Sequence, residues 1–249
     1  MKFPALGPAA LIAALLATTA PLAAQEMTDA ERTAFRAEVR AYLVENPEVL
    51  IEAMTALEAK QQAEQANNDL TLLRDNSEEI FRDPASWAGG NLEGDITLVE
   101  FVDYRCGYCR KAHDEVAELV QSDGNIRFVL KEYPILGEES LVASRFAIAV
   151  RQLAGDEAYK QAHDTLIAFR GDINTDTLGR LASDMGLDSA AILARMDAPE
   201  VTAVIEANHA LATKLDVSGT PTFVLDRTMV RGYVPLDGMR QIVEGQRAG

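Results

Sequence analysis

The sequence predicts an α/β protein: a sheet-forming unit with a helical block inserted in it, preceded by a separate helical arm. Three observations carry this. Apolar, β-branched runs at Ile96–Val102 and Ile126–Glu132 flank one amphipathic helical segment. A long stretch from Glu138 to about Leu215 reads as helix throughout, and two short strands and a helix follow it. Residues 25–82 read as helix of a different character, with little apolar surface to bury.

The first residues bear on compartment. Lys2, the almost wholly apolar run Ala9–Leu22 and the small-residue site Pro21-Leu22-Ala23-Ala24 predict a secretory signal peptide over residues 1–24. Cleavage is expected near Ala24, leaving Gln25 first. The run is too short and too rich in alanine for a comfortable membrane span, and no Cys near the cleavage site supports a lipid anchor. The expected location is therefore the periplasm.

From Thr28 the arm begins. Phe35, Val39, Tyr42 and Leu43 fall at i, i+4, i+7 and i+8, one face of a helix. Asn46-Pro47 reads as a break and restart, with Asn46 as N-cap and Pro47 at the first helical position. Leu50, Met54 and Leu57 continue an apolar stripe at near-heptad spacing, whereas Lys60–Asn68 has no apolar face beyond alanine. Residues 28–58 are therefore expected to self-associate, with a solvated connector beyond.

Asp83-Pro84 through Gly94 is expected to be a loop and the domain boundary, so the second domain is residues 83–249. Strands are predicted at Ile96–Val102 and Ile126–Glu132, with a helix from about Gly107 to Gln121 between them. The block at about 138–215 divides into helices around Leu141–Leu153, Glu157–Phe169, Thr175–Met185, Ser189–Met196 and Pro199–Leu215. Ser140, Asn174 and Asp188 lie near starts, and Gly171 and Gly186 near ends. Strands return at Thr222–Asp226 and Met229–Tyr233, and Leu236–Gln246 closes the chain as helix. With the helical block removed, the order β-α-β then β-β-α is that of a thioredoxin fold.

Composition narrows the partners. The 249 residues are 48% hydrophobic and 25% charged, ordinary for a globular protein. The formal net charge of -16 argues against nucleic acid or anionic lipid as partner.

The chemistry centres on Cys106-Gly107-Tyr108-Cys109, which holds the only two cysteines of the chain. A strand delivering a Cys-x-x-Cys pair to a helix start is the layout of a redox dithiol. At the helix N-terminus Cys106 meets unpaired backbone N–H groups and the positive end of the dipole, which favour its thiolate. Cys109 lies one turn inward on the same face, shielded but near enough to close the bond. Cys106 is thus the expected attacking thiol and Cys109 the resolving one, with Arg105 and Arg110 expected to favour the thiolate further.

Glu100 is an acid in an otherwise apolar strand, six residues before Cys106. Burial there is costly, and a raised pKa suits it to exchange a proton with Cys109. Gly219-Thr220-Pro221-Thr222-Phe223 places Pro221 at a strand entry, where a cis peptide is expected. Thr220 and Pro221, with Gly107 and Tyr108, are the expected substrate-binding residues. His113, His163 and His209 show no ligand spacing and read as ordinary surface or helix residues, so no metal site is expected.

Glu100-Phe101-x-x-Tyr104-x-Cys106-Gly107-Tyr108-Cys109, Lys131–Gly137 and Gly219–Phe223 together resemble the DsbA family of thiol:disulfide oxidoreductases over about residues 83–249. In that family the acid matching Glu100 is buried and the proline matching Pro221 is cis. The N-terminal stretch, with Tyr42-Leu43-x-x-Asn46-Pro47-Glu48-Val49-Leu50, is similar to ScsC-like proteins, a DsbA subgroup. That resemblance implies an oligomerising arm, trimeric in some members, and disulfide isomerase activity. Gly107-Tyr108 is the DsbC pair, where DsbA oxidases have Pro-His, and Thr220 also follows DsbC where those oxidases have Val. Both point toward isomerisation or reduction.

The expected function is therefore that of an exported protein disulfide isomerase or reductase. It acts on misoxidised proteins as a homo-oligomer, a trimer or else a dimer. Its reductant is a DsbD/ScsB-like membrane protein, and it needs no cofactor beyond the Cys106–Cys109 pair. The alternatives are a monomeric DsbA-like oxidase, or a copper-binding, redox-buffering module whose dithiol takes soft Cu(I).

Overall fold

The computed structural model describes residues 27–248, so the signal-peptide expectation at 1–24 lies outside the described residues. The chain forms two compact units that divide between Glu58 and Ala59.

The first unit holds α1 (Asp29–Glu45) and the start of α2 (Glu48–Asp75). A capping box opens α1: the Glu31 N–H donates to Thr28 Oγ1, and the Thr28 N–H donates to Glu31 Oε2 at 2.8 Å. Asn46 does not cap forward as its position suggested. Its side-chain amide and its backbone N–H both donate back to the Tyr42 carbonyl, at 2.9 and 2.8 Å, and so close the end of α1. No residue of α1 is buried, and Phe35, Val39, Tyr42, Leu50, Met54 and Leu57 are all exposed.

The second unit is built on a five-stranded sheet in the order β1-β3-β2-β4-β5. The strands are β1 (Trp87–Gly90), β2 (Ile96–Val102), β3 (Ile126–Glu132), β4 (Thr222–Leu225) and β5 (Thr228–Arg231). β2 and β3 run parallel, joined through α4 (Gly107–Asp123), while the other three pairings are antiparallel. Both central strands are covered on both faces, which explains their unbroken apolar character. The β4–β5 turn is tight, with Asp226 at φ +45° and its carboxylate accepting from the Thr97 N–H at 2.9 Å.

The segment expected to be an open loop at 83–94 contains β1. A strand of Trp-Ala-Gly-Gly has little intrinsic β preference. Trp87 holds it in place, edge-on to Phe128, stacked on Tyr159 at 6.0 Å and donating its indole N–H to the Asp156 carbonyl.

The inserted block comprises α5 (Glu138–Ala168), α6 (Thr175–Asp184), α7 (Ser189–Met196) and α8 (Pro199–Lys214), and α9 (Leu236–Ala248) ends the chain. Gly155, at φ +87°, breaks α5 between the two helices expected there. One core lies between the sheet and α4, α5 and α9. The other lies on the opposite face, where Val99, Phe101, Val129 and Val224 meet Leu73, Leu211 and Leu215.

Leu73 belongs to the end of α2, and Ile80 of α3 (Ser77–Phe81) packs in the same core. The last turns before residue 83 therefore form part of the sheet unit. Two charged ties hold them: Asp69 pairs bidentately with Arg231 at 2.8 and 2.9 Å, and buried Lys131 reaches Asp83 at 2.7 Å and the Glu79 carbonyl at 2.8 Å.

Candidate functional site

The site forms where β2 ends and α4 begins. Cys106 is the N-cap of α4, and its sulfur accepts from the Cys109 N–H at 3.4 Å. A thiolate there replaces the usual capping oxygen and satisfies an orphan helix donor. Fully buried Asp103 shapes the turn before it. Its carboxylate accepts from the N–H groups of Arg105, Ile135 and Leu136 and from the Ser140 hydroxyl, all within 3.0 Å.

The two sulfurs differ sharply, though both cysteines are free thiols. Cys106 keeps 6% of its surface exposed against 1% for Cys109. The Cys106 pKa is lowered to about 5, first by a hydrogen bond from the Cys109 thiol and against the opposing effect of burial. The Thr220 side chain and the N–H groups of Cys109 and Tyr108 add to it. The Cys109 thiol is pushed far above its ordinary value by burial, by its bond to Cys106 and by the charge of Glu100.

Thr220 and Pro221 face this pair, as the sequence suggested. The Thr220–Pro221 peptide is cis, Pro221 is buried, and the Cys106 thiol donates to the Thr220 carbonyl at 3.1 Å. Gly107 opens α4 in an exposed position. Tyr108 is 62% exposed and stacks on Tyr233 at 6.2 Å, leaving an aromatic shelf beside the dithiol.

Glu100 is buried on the sheet face that also carries Leu98 and Val102. Its pKa is raised to about 8, chiefly by burial and then by the charges of Cys106 and Glu132. It lines a cleft of about 470 Å³ together with Trp87, His113, Phe128, Lys160 and His163. That cleft is a solvent path to an otherwise enclosed carboxyl group.

Two expectations are refined. Arg105 and Arg110 direct their hydrogen bonds elsewhere, Arg105 to Glu139 and the Gly171 carbonyl and Arg110 to the carbonyls of Ile167, Phe169 and Tyr104, although the Arg110 charge still attracts that of Cys106. The low Cys106 pKa is thus a hydrogen-bonding effect before it is a charge effect. His163 is a helix residue, on α5, but a fully buried one, with its pKa depressed by burial, and its ring lies 5.4 Å from that of His113.

His163 belongs to a buried network centred on Glu132. The Tyr104 and Tyr159 hydroxyls donate to Glu132 Oε1 at 2.7 and 2.6 Å, the Ser144 hydroxyl donates to Oε2 at 2.7 Å, and Tyr104 also bonds His163 Nδ1 at 3.1 Å. Burial raises the Glu132 pKa to about 7 despite these donors. The signal for it was present, since Glu132 is an acid in an apolar strand just as Glu100 is.

No helix among the described residues is long and apolar enough to cross a membrane. Residues 97–244 match the family model of the DSBA-like thioredoxin domain, and residues 31–64 match the N-terminal domain of the copper resistance protein ScsC. A thioredoxin-like oxidoreductase from Silicibacter pomeroyi is 42% identical, covering 70% of this chain and 99% of its own, with TM-score 0.66. ScsC of Proteus mirabilis in a transitional conformation is 27% identical, covering 89% and 97%, with TM-score 0.65. The curated Na(+)/H(+) antiporter NhaA 1 of Salinispora arenicola is 29% identical over 165 residues, 64% of this chain. The match spans only about a quarter of that relative's length (24%). By fold, motif order and the match over most of its sheet unit, the chain belongs to the DSBA-like thioredoxin domain family, with an ScsC-type segment in front.

Proposed function

We propose that the protein is an exported thiol:disulfide oxidoreductase that rearranges or reduces wrong disulfides in other proteins. The observation that carries the thiol chemistry is the split between the two sulfurs: Cys106 caps the helix with its pKa lowered to about 5, and Cys109 is buried with its pKa raised. The Cys106 thiolate attacks one sulfur of a substrate disulfide, forming a mixed disulfide and releasing the other substrate sulfur as thiolate. Cys109 then gives up its proton toward Glu100 and attacks Cys106 Sγ. That step frees the first substrate sulfur and leaves the Cys106–Cys109 disulfide. Thr220, Pro221 and the Gly107-Tyr108 turn hold the peptide, and no cofactor beyond the dithiol is required.

Isomerisation and assembly are supported by the arm. Its exposed apolar residues suit helix–helix association, and the ScsC match covers the same stretch. We take the oligomer to be a trimer, working in the periplasm and kept reduced by a DsbD/ScsB-like membrane thiol reductant. Scrambled ribonuclease should regain activity with the reduced protein. Fast oxidation of reduced ribonuclease with no rescue of the scrambled form would sink the isomerase reading. Light scattering on the full chain should give three protomers, and Met54→Glu should lower the mass.

A second reading is favoured by the low Cys106 pKa itself. A stabilised thiolate stabilises the reduced enzyme and makes its disulfide more oxidising, which suits an oxidase. The redox potential separates the two.

A further inference from the structure

We propose that His113, His163 and Asp164 form a binding site for a divalent transition ion of the zinc class, separate from the dithiol. One donor atom from each of the three lies within 4.8 Å of the others. His113 Nε2 and Asp164 Oδ1 are 3.3 Å apart. Bonds of about 2.0–2.1 Å in a tetrahedral site place neighbouring donors roughly 3.3 Å apart, so only His163 has to close in.

The supporting residues already orient one ligand. The Tyr104 hydroxyl gives its proton to Glu132, so the network assigns the ring proton of His163 to Nδ1, donating to Tyr104. Nε2 of His163 then keeps its lone pair for an ion. This arrangement, a ligating imidazole whose other nitrogen is fixed by a hydrogen-bonded group, is what metal-binding histidines require. Helix geometry fixes the rest, since His113 stands one turn after Cys109 on α4 and His163 and Asp164 are adjacent on α5.

Two imidazoles and one carboxylate suit a borderline ion better than Mg²⁺ or Ca²⁺, which prefer an all-oxygen shell, and better than Cu(I), which prefers sulfur. Water can complete the coordination, because the histidines line the cleft described above. Lys160 Nζ occupies the Asp164 carboxylate at 2.6 Å to both oxygens. The Lys160 side chain is partly exposed, so an ion would replace one cation by another at the same carboxylate.

The test uses the full chain in its oxidised form, which removes the Cys106–Cys109 thiols as competing ligands. Zn²⁺ is titrated by calorimetry and Co²⁺ by visible absorbance. The expected result is one saturable equivalent with Co²⁺ d–d bands and no thiolate charge-transfer band. His113→Ala and Asp164→Asn, both at partly exposed positions, should each weaken binding at least tenfold while far-UV circular dichroism stays unchanged. A His163 variant is avoided because that ring is packed in the core. Absence of saturable binding to the oxidised protein, or undiminished affinity in either variant, would overturn the site.

Discussion

Cys106 Sγ lies 3.1 Å from the carbonyl oxygen of Thr220, the residue that precedes the cis proline. The Cys106 sulfur and the cis-proline turn are therefore one structure, joined at Thr220. The thiolate absorbance of the reduced protein should titrate with a midpoint near pH 5, the value to which Cys106 is lowered. Thr220→Val removes a side-chain hydrogen bond to the sulfur, so the midpoint should rise and the disulfide become less oxidising. An unmoved midpoint would mean that the Cys109 thiol and the backbone donors set it without Thr220.

Glu100 gives the opposite pH signature. Its folded pKa is raised to about 8 from 4.5, so between those values the native state holds a proton that the unfolded chain has lost. Stability contributed at this position therefore falls as pH rises from about 4.5 to about 8. Glu100→Gln should leave melting little changed at pH 4.5 and raise it at pH 8, by on the order of a few kcal/mol. Release of a mixed disulfide by Cys109, followed in single turnover, should slow in the same variant.

Asp103 is a structural carboxylate. Replacing it with Asn turns one acceptor oxygen into a donor facing the N–H and hydroxyl groups it now satisfies. Asp103→Asn should cost roughly 3 kcal/mol in chemical denaturation. It should also loosen the turn that places Cys106, seen as slower thiol alkylation at neutral pH.

Truncation distinguishes the two candidate boundaries. A chain starting at Ala59 keeps Leu73 and Ile80 in the second core, and it should melt like the full chain's sheet unit. A chain starting at Asp83 loses both side chains and uncovers Val99 and Phe101. It should melt about 10 °C lower or lose cooperativity, as expected for removal of two buried aliphatic residues.

These sites were not equally legible in the sequence. The dithiol and Glu100 announce themselves through local patterns, a fixed spacing and an acid in an apolar run, whereas the Gly-Thr-Pro turn reads as cis only beside the distant Cys-x-x-Cys. Relationships across the chain do not. Nothing local to His163 says that Tyr104, fifty-nine positions earlier, will bond it within a core. The Gly89-Gly90 pair hides a strand held by Trp87, and Leu73 looks like part of a polar connector until Val99 and Phe101 are seen beneath it. Asn46 by its type suits either helix end, and only the position of the Tyr42 carbonyl decides between them.

Trp87 offers a use beyond packing. It is the chain's one tryptophan, it stacks on Tyr159, and it shares a cleft wall with Glu100, His113 and His163. Its emission is consequently a native optical reporter for that chamber, sensitive to the charge on Glu100 and to an ion at the histidines. No label need be introduced to follow either event.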